Sequence, residues 1–311
     1  MRFYMDLLFK IIFAFSILPF LIAEKMQTKF TIRLDPQVVD TLYSQPQGVS
    51  RLENKEIDEA SGLAFSWTNP NILYTHNDSG GDPIVYMLDT LGKDKGRILL
   101  EGVSNRDWED IAIGPGQKAN ESYIYIGEIG DNDSKHSDIR IYRFPEPRFW
   151  KEEISVKPEK ITLKYPDGAR DAETLMVDPV SGDLFILSKR DSSNTLYTVA
   201  ADKLWEKTGV KTMEKVMKLP VTMSTAGDIS KDGRQIIIKN YWVIYYWDRK
   251  EGESVPETLA REPILLPYTP EPQGEAITFF PDGKGYYTLS EKRMRVDPVL
   301  YKYSRLNNHP D

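Results

Sequence analysis

A short acidic phrase recurs five times along this chain of 311 residues, and each copy precedes a run of strand-forming residues. One aliphatic residue in each copy marks the spacing. It falls at 63, 111, 175, 229 and 277, so the intervals are 48, 64, 54 and 48 residues. Periods of this length are typical of solenoids and propellers. If the phrase opened the innermost strand of every blade, acidic residues far apart in sequence would meet on one axis.

The sequence between the phrases favours β-strands. Short runs rich in β-branched and aromatic residues are separated by turn sequences such as Pro-Asp-Gly and Ser-Gly-Asp. No apolar stripe of period 3.6 persists after the N-terminal segment. Four strands per repeat are typical of a β-propeller blade, so we predict an all-β fold with a single propeller.

Five blades account for the repeats if the ring is closed by an N-terminal strand. The last repeat contains only three strand-like runs, and the segment 48–54, upstream of the first phrase, can supply the fourth. Closure of this kind removes exposed sheet edges. Six blades are the alternative, if segments 30–34 and 38–42 form a further, degenerate blade.

The N-terminus is typical of a secretory signal. Arg2 precedes an apolar run from 7 to 23 that is interrupted only by Lys10. We therefore predict a signal peptide over 1–23 and a propeller domain over 24–311, secreted or, in a bacterium, periplasmic. An uncleaved anchor is the alternative. No second apolar segment follows, so we expect no membrane span after cleavage, and nothing in the pattern indicates an oligomer, so we expect a monomer.

Composition narrows the possible partners. The net charge of −7 disfavours a nucleic-acid-binding surface. The absence of cysteine excludes disulfides, thiolate metal sites and a cysteine nucleophile. In a eukaryotic host, the triplet at Asn120 would be the best glycosylation acceptor, because it lies in a polar turn.

When the five phrases are aligned, three of them have a glutamate in the same column. The other two have Ser61 and Gly227 at that position. Carboxylates held this close repel one another unless a cation lies among them. Calcium, which prefers oxygen ligands, is the cation we predict. Alternatively, the acidic residues hydrogen-bond to backbone N–H groups of the adjacent blade and fix its register. We predict six metal ligands. They are the three glutamates of the column, one acidic residue from each of two facing turns, and one from a further phrase: Glu109, Glu173 and Glu275; Asp78 and Asp131; and Asp228.

Two further residues are predicted to take part in catalysis. His76 ends a strand on the same face, and its usual pKa suits a general acid or base. Asp110 follows Glu109 in the second phrase. The alternative for His76 is a hydrogen-bonded turn residue.

Four cations lie in turns predicted to face the same mouth. Such side chains bind anionic groups such as phosphate or carboxylate, so a small anionic substrate is the expected ligand. Alternatively, they pair with the glutamates. The four residues are Lys189, Arg190, Lys239 and Lys292.

Several phrases resemble a family of exported proteins, found mainly in bacteria, for which no reaction is established. They lie at 73–80, 107–116, 125–132, 142–147, 171–175 and 272–277. The resemblance implies a propeller. More distantly, the plan of one glutamate per blade is similar to calcium-dependent propeller hydrolases: phytase-like proteins, gluconolactonase and paraoxonase relatives, and calcium-activated nucleotidases. No residue-level motif selects one of them.

Two functions are compatible with these observations. One is a secreted calcium-dependent hydrolase that acts on a phosphoester or lactone at the mouth of the central channel. The other is a secreted, non-catalytic binding module for a glycan, a polyanion or a protein partner.

Overall fold

The computed structural model describes residues 42–148, 151–206, 209–293 and 295–306. The predicted signal peptide, and residues 30–41 that would have begun a sixth blade, lie outside the described residues.

Within the described residues, five sheets form a ring, which confirms the five-bladed propeller. The chain enters through β1 (Gln47–Arg51). Blade 1 contains β2 (Ala60–Phe65), β3 (Ile72–Asn77), β4 (Ile84–Asp89) and β5 (Asp94–Leu100). Blade 2 contains β6 (Trp108–Pro115), β7 (Ser122–Glu128), β8 (Ile139–Pro145) and, after the intervening β9 (Glu153–Val156), β10 (Glu159–Lys164).

The remaining blades follow the same order. Blade 3 contains β11 (Ala172–Val177), β12 (Leu184–Ser188), β13 (Thr195–Val199) and, after β14 (Val210–Thr212), β15 (Glu214–Lys218). Blade 4 contains β16 (Ser224–Ile229), β17 (Gln235–Asn240), β18 (Ile244–Asp248) and β19 (Ile264–Leu266). Blade 5 contains β20 (Gly274–Phe279), β21 (Gly285–Ser290) and β22 (Val299–Ser304).

The ring closes as the sequence predicts. β1 pairs antiparallel with β22, with Gln47 opposite Lys302 and Arg51 opposite Val299. Strands from both ends of the described chain therefore share one blade, and the ring has no open edge at the closure.

Two strand exchanges were not predicted. β9 leaves blade 2 to pair in parallel with β5 of blade 1, and β14 leaves blade 3 to pair in parallel with β10 of blade 2. Gly96 allows the first exchange, because a Cβ there would lie 2.2 Å from the carbonyl oxygen of Glu152. These short strands tie neighbouring blades together at their outer edges.

The hydrophobic core is divided among the interfaces between blades. Five clusters of buried side chains each draw on two adjacent blades. Trp108 and Trp247 are almost fully buried in two of them, as expected for aromatics that pack between twisted sheets.

Helical structure is confined to two short elements in the described chain, α1 (Ala201–Leu204) and α2 (Val255–Leu259). Ser254 and Glu257 form a capping box at the start of α2. No helix in this part of the chain has the length and apolar character needed to cross a bilayer.

Candidate functional site

Each innermost strand contains an irregularity near its start, where the pairing with the second strand skips one residue. A bulge of this kind redirects a side chain out of the regular alternation. Three of the five skipped residues are the predicted glutamates. In blade 1 the skipped residue is Gly62, one position after Ser61 of the sequence alignment. In blade 4 it is Thr225, two positions before Gly227. The skipped residues are Gly62, Glu109, Glu173, Thr225 and Glu275.

The three glutamates line one cavity at the mouth of the channel. Its volume is about 570 Å³, and Asp78 also lines it. The repeated phrase therefore brings carboxylates from three blades together, as the sequence predicts.

A tighter carboxylate cluster lies at one side of this mouth. Asp78, Asp107 and Glu109 each contribute an oxygen, and these oxygens lie within 4.8 Å of one another. Glu109 is 4% exposed, and among the described residues its carboxylate has no hydrogen-bond or ion-pair partner. Gly130 packs directly on the cluster, since a Cβ there would lie 2.2 Å from Glu109 Oε1 and 2.5 Å from Asp107 Cγ. The sequence aligned Asp107 with the phrases but did not identify it as a ligand.

Burial and mutual repulsion raise the pKa values of this cluster. Burial, followed by the charges of Glu173 and Asp78, raises the pKa of Glu109 well above its usual value. Burial, with contributions from Glu275 and Asp107, raises the pKa of Asp78 to about 7. Three close carboxylates with these shifts fit a bound cation, which would stabilise their charged forms. Because all the donors are oxygens, they fit calcium better than a soft transition metal.

A connected network occupies the opposite side of the mouth. Lys189 donates to Glu173 and, at 3.0 Å, to the hydroxyl of Tyr241, which in turn donates to Glu275. Tyr241 lies in the turn after β17, so blade 4 contributes a phenol where blades 2, 3 and 5 contribute glutamates. The sequence did not indicate this residue, although Lys239, in the same turn, was predicted to face the mouth.

Two further glutamates near the mouth, Glu173 and Glu291, also have raised pKa values. Burial raises the pKa of Glu173 to about 8, against the opposing charge of Lys189. Glu291, one residue beyond β21, lies beside Glu275, and burial together with a hydrogen bond to Glu275 raises the pKa of Glu291 to about 9. The mouth therefore retains protons on carboxyl groups near neutral pH.

Two predicted acidic residues lie deeper in the channel wall and do not line the mouth cavity. Asp110 accepts hydrogen bonds from the N–H groups of Ile111 and Leu175, both at 2.9 Å. Asp228 accepts from the N–H groups of Ile229 and Phe279, both at 2.8 Å. Each aspartate therefore links its own strand to the innermost strand of the next blade, which is the structural alternative that the sequence left open.

Asp131 also has a structural environment. Its two carboxylate oxygens accept from the N–H groups of Lys135 and His136, each at 2.8 Å. Its own N–H donates to Asp171 at 2.9 Å. The side chain thus shapes the turn after β7 and does not line the mouth cavity.

His76 is fully buried beneath the mouth. Its ring lies edge-on to Trp108, with centroids 5.5 Å apart, and Nδ1 is 3.0 Å from the carbonyl oxygen of Asn77. Burial lowers the pKa of His76 to about 4, so the imidazole is neutral at pH 7. It does not reach the cavity in this structure.

Two of the four predicted cations line the cavity, and the other two do not. Lys189 and Arg190 line the cavity, where Arg190 pairs with Asp171 at 2.6 Å. Lys239 is fully buried and donates to the carbonyl oxygen of Gly274, and burial lowers its pKa to about 8. Lys292 is turned toward Asp297, at 3.5 Å.

Arg293 lines the mouth in place of Lys292, its neighbour in sequence. It has no acidic partner among the described residues. Trp242 also lines the cavity and lies beside Tyr241, with ring centroids 5.8 Å apart. The sequence predicted that Lys292 would face the mouth, but gave no signal to distinguish it from its neighbour Arg293.

Comparison with known proteins adds no functional assignment. No protein-family model and no curated protein matches the sequence. A solved structure of a luciferin-regenerating enzyme aligns over 84% of this chain and 95% of its own, with 9% identity and a TM-score of 0.45. The WD40 domain of Neurospora crassa Pan2 aligns over 88% and 98%, with 10% identity and a TM-score of 0.44. A nidogen/laminin complex aligns over 75% and 73%, with 14% identity and a TM-score of 0.42.

Proposed function

We propose that this protein binds calcium at the mouth of its channel and hydrolyses a small anionic phosphoester or lactone there. The observation that carries the proposal is the cluster of Asp78, Asp107 and Glu109. A carboxylate buried to the extent of Glu109, with no hydrogen-bond or ion-pair partner among the described residues, is costly, and a cation offsets that cost. Gly130 leaves the cluster room that no other residue type would leave.

The remaining mouth residues supply the groups that an anionic substrate needs. Arg293 and Arg190 present guanidinium groups, which bind phosphate or carboxylate in a bidentate manner. Lys189 adds a positive charge from the wall, although Glu173 and Tyr241 already contact it. Trp242 offers an aromatic face for the uncharged part of a substrate.

Proton transfer would fall to a carboxyl group and not to His76. Glu173 lines the cavity, and burial raises its pKa against the opposing charge of Lys189. In its protonated form it can donate a proton to a leaving group. When bound, calcium would polarise the scissile group and lower the pKa of a bound water.

A specific observation supports the second function, a non-catalytic binding module. His76 and Asp110, the residues predicted from sequence to act in catalysis, are fully buried and lie outside the cavity. In that case calcium would order the mouth, and the arginines and Trp242 would bind a glycan, a polyanion or a protein partner.

Turnover distinguishes the two functions. Purified protein is assayed with calcium and with chelator against a panel of phosphoesters and lactones. We expect calcium-dependent hydrolysis that is lost in Glu109→Gln and retained in Glu214→Gln, the same change at an exposed glutamate on β15. Calcium binding without turnover of any panel member would favour the binding module.

We also propose that the protein acts outside the cytoplasm as a monomer, on the strength of the apolar segment 7–23 and the closed ring. Mass spectrometry of exported protein should show cleavage near residue 23, and light scattering should give the mass of one chain. A retained segment or a dimer mass would contradict this.

A further inference from the structure

We infer that the face opposite the mouth carries a second binding site, a groove for an acidic saccharide. The groove lies between blades 1 and 5, has a volume of about 450 Å³, and is open to solvent. It is lined by the turn that follows β2 and by the turn that follows β20. Because the innermost strands run from the mouth toward these turns, the groove lies at the other end of the channel.

Four aromatic side chains form the floor and wall of this groove: Phe65, Trp67, Phe280 and Tyr287. Phe280 packs against Tyr287 with ring centroids 4.8 Å apart, and Phe65 lies 6.3 Å from Phe280. Phe65, Trp67 and Phe280 remain partly exposed. An accessible aromatic surface in a concave site is typical of ligand recognition.

Two lysines lie beside the aromatic rings of the groove: Lys302 belongs to its lining, whereas Lys231 lies outside the lining, next to Trp67. Lys302 Nζ lies 5.4 Å above the ring of Phe280, and Lys231 Nζ lies 5.6 Å above the ring of Trp67. Neither lysine has an acidic partner among the described residues, and Lys231 donates only to the carbonyl oxygen of Trp67, at 3.3 Å. Asp282 is the one acidic side chain among the residues that line the groove. The lining itself carries one cation and one anion, and Lys231 adds a second positive charge beside Trp67, which favours an anionic group at the rings.

The mixture of rings and polar groups favours a sugar. The polarised C–H groups of a pyranose pack on the negative face of an aromatic ring. Asn71 and Thr90 line the groove with polar groups that can pair with hydroxyls. An open groove cannot enclose a small apolar molecule, since such sites bury most of the ligand surface. A carboxylated or sulfated saccharide satisfies the rings, the hydroxyl partners and the lysines together.

Calorimetric titration at low salt tests the assignment. The probes are oligosaccharides of hyaluronan, polygalacturonate and heparin, with neutral galactan and chitin oligomers as matched uncharged probes. We expect at least one acidic probe to bind more tightly than both neutral ones, and more weakly as salt rises. Preferential binding of a neutral probe, or no binding of any acidic probe, would overturn the inference.

Variants locate the binding. Trp67→Ala should weaken the binding of the acidic probe roughly tenfold, because it removes an aromatic ring on which the sugar packs. Lys302→Gln should weaken this binding about threefold, because it removes the positive charge and keeps most of the side chain. Lys218→Gln, the same change at an exposed lysine on β15, is the control and should leave binding unchanged. If Trp67→Ala and Lys302→Gln, both shown to be folded by thermal melting, bind like the wild type, the groove is not the site.

The two proposals fail separately. Calcium-induced stabilisation should be the same in Lys302→Gln as in the wild type, because Asp78, Asp107 and Glu109 lie at the other end of the channel.

Discussion

Two sets of carboxylates line the same channel and differ in what surrounds their oxygens. At the mouth, Glu109 is buried beside Asp78 and Asp107 and makes no hydrogen bond or ion pair with any described residue. Deeper in the wall, Asp110 and Asp228 each accept two backbone N–H groups, one of them from the next blade. The first set repels itself and fits a cation, whereas the second set joins the blades.

Glu109 and Asp110 make the contrast sharpest, because they are neighbours in sequence. The pairing of β6 with β7 skips Glu109 and resumes at Asp110. One irregularity of register thus directs the first side chain to the mouth and leaves the second on the regular strand. The comparison teaches that the position relative to the bulge, more than residue type, decides the role of each acidic residue.

The largest effect should come from Asp110→Ala. It leaves the N–H groups of Ile111 and Leu175 buried without acceptors, so the free energy of unfolding should fall by about 2–4 kcal/mol. Urea unfolding at pH 7 measures this loss. Stability equal to that of the wild type would show that Asp110 does not join the blades, and loss of calcium binding in a folded variant would place it with the mouth set.

Glu109→Gln should act in the opposite direction. Removing one charge relieves repulsion from Asp78 and Glu173, so the calcium-free protein should gain about 1 kcal/mol of stability. Thermal melting with chelator measures this. A destabilised variant would mean that Glu109 has a structural partner.

The stability of the calcium-free protein should also depend on pH. The folded-state pKa of Asp78 is raised from 3.8 to about 7, and that of Glu173 from 4.5 to about 8, chiefly by burial. The folded protein therefore binds more protons than the unfolded chain between pH 4 and 8, and stability should fall as pH rises through this window. Calcium should reduce the fall. A stability that rises over the same range would contradict the raised pKa values.

Lys189→Met should have the smallest effect of these changes. It removes a positive charge that lies against Glu173 and near Glu275 and Glu109. Calcium affinity should therefore rise, by roughly threefold, while binding of an anionic substrate weakens. Isothermal titration of calcium into the variant measures the first effect, and weaker calcium binding would show that Lys189 orders the site.

The sequence predicted the fold well because the acidic phrase and the strand runs repeat together. The five blades and the closing strand near residue 48 follow from that repetition. The parallel exchanges of β9 and β14 did not follow, because three- and four-residue strands carry little periodic signal. They depend on close approaches such as that of Gly96 to Glu152.

The site was predicted in part, for a physical reason. The glutamate column placed three ligand-type residues at one mouth, but the orientation of a neighbouring residue depends on the bulge and on backbone donors from another blade. Sequence alone could not show that Asp228 would meet the N–H of Phe279, or that Tyr241 would occupy the gap left by blade 4. The same limit explains why Arg293, and not Lys292, faces the cavity.

Calorimetric titration of calcium into three proteins tests the central claim most directly: the wild type, Glu109→Gln and Asp110→Asn. Bound ions are first removed from each protein with chelator. We expect saturable binding in the wild type, none in Glu109→Gln, and binding in Asp110→Asn close to that of the wild type. No calcium binding by the wild type, or equal binding by Glu109→Gln, would contradict the assignment of the mouth carboxylates to a cation.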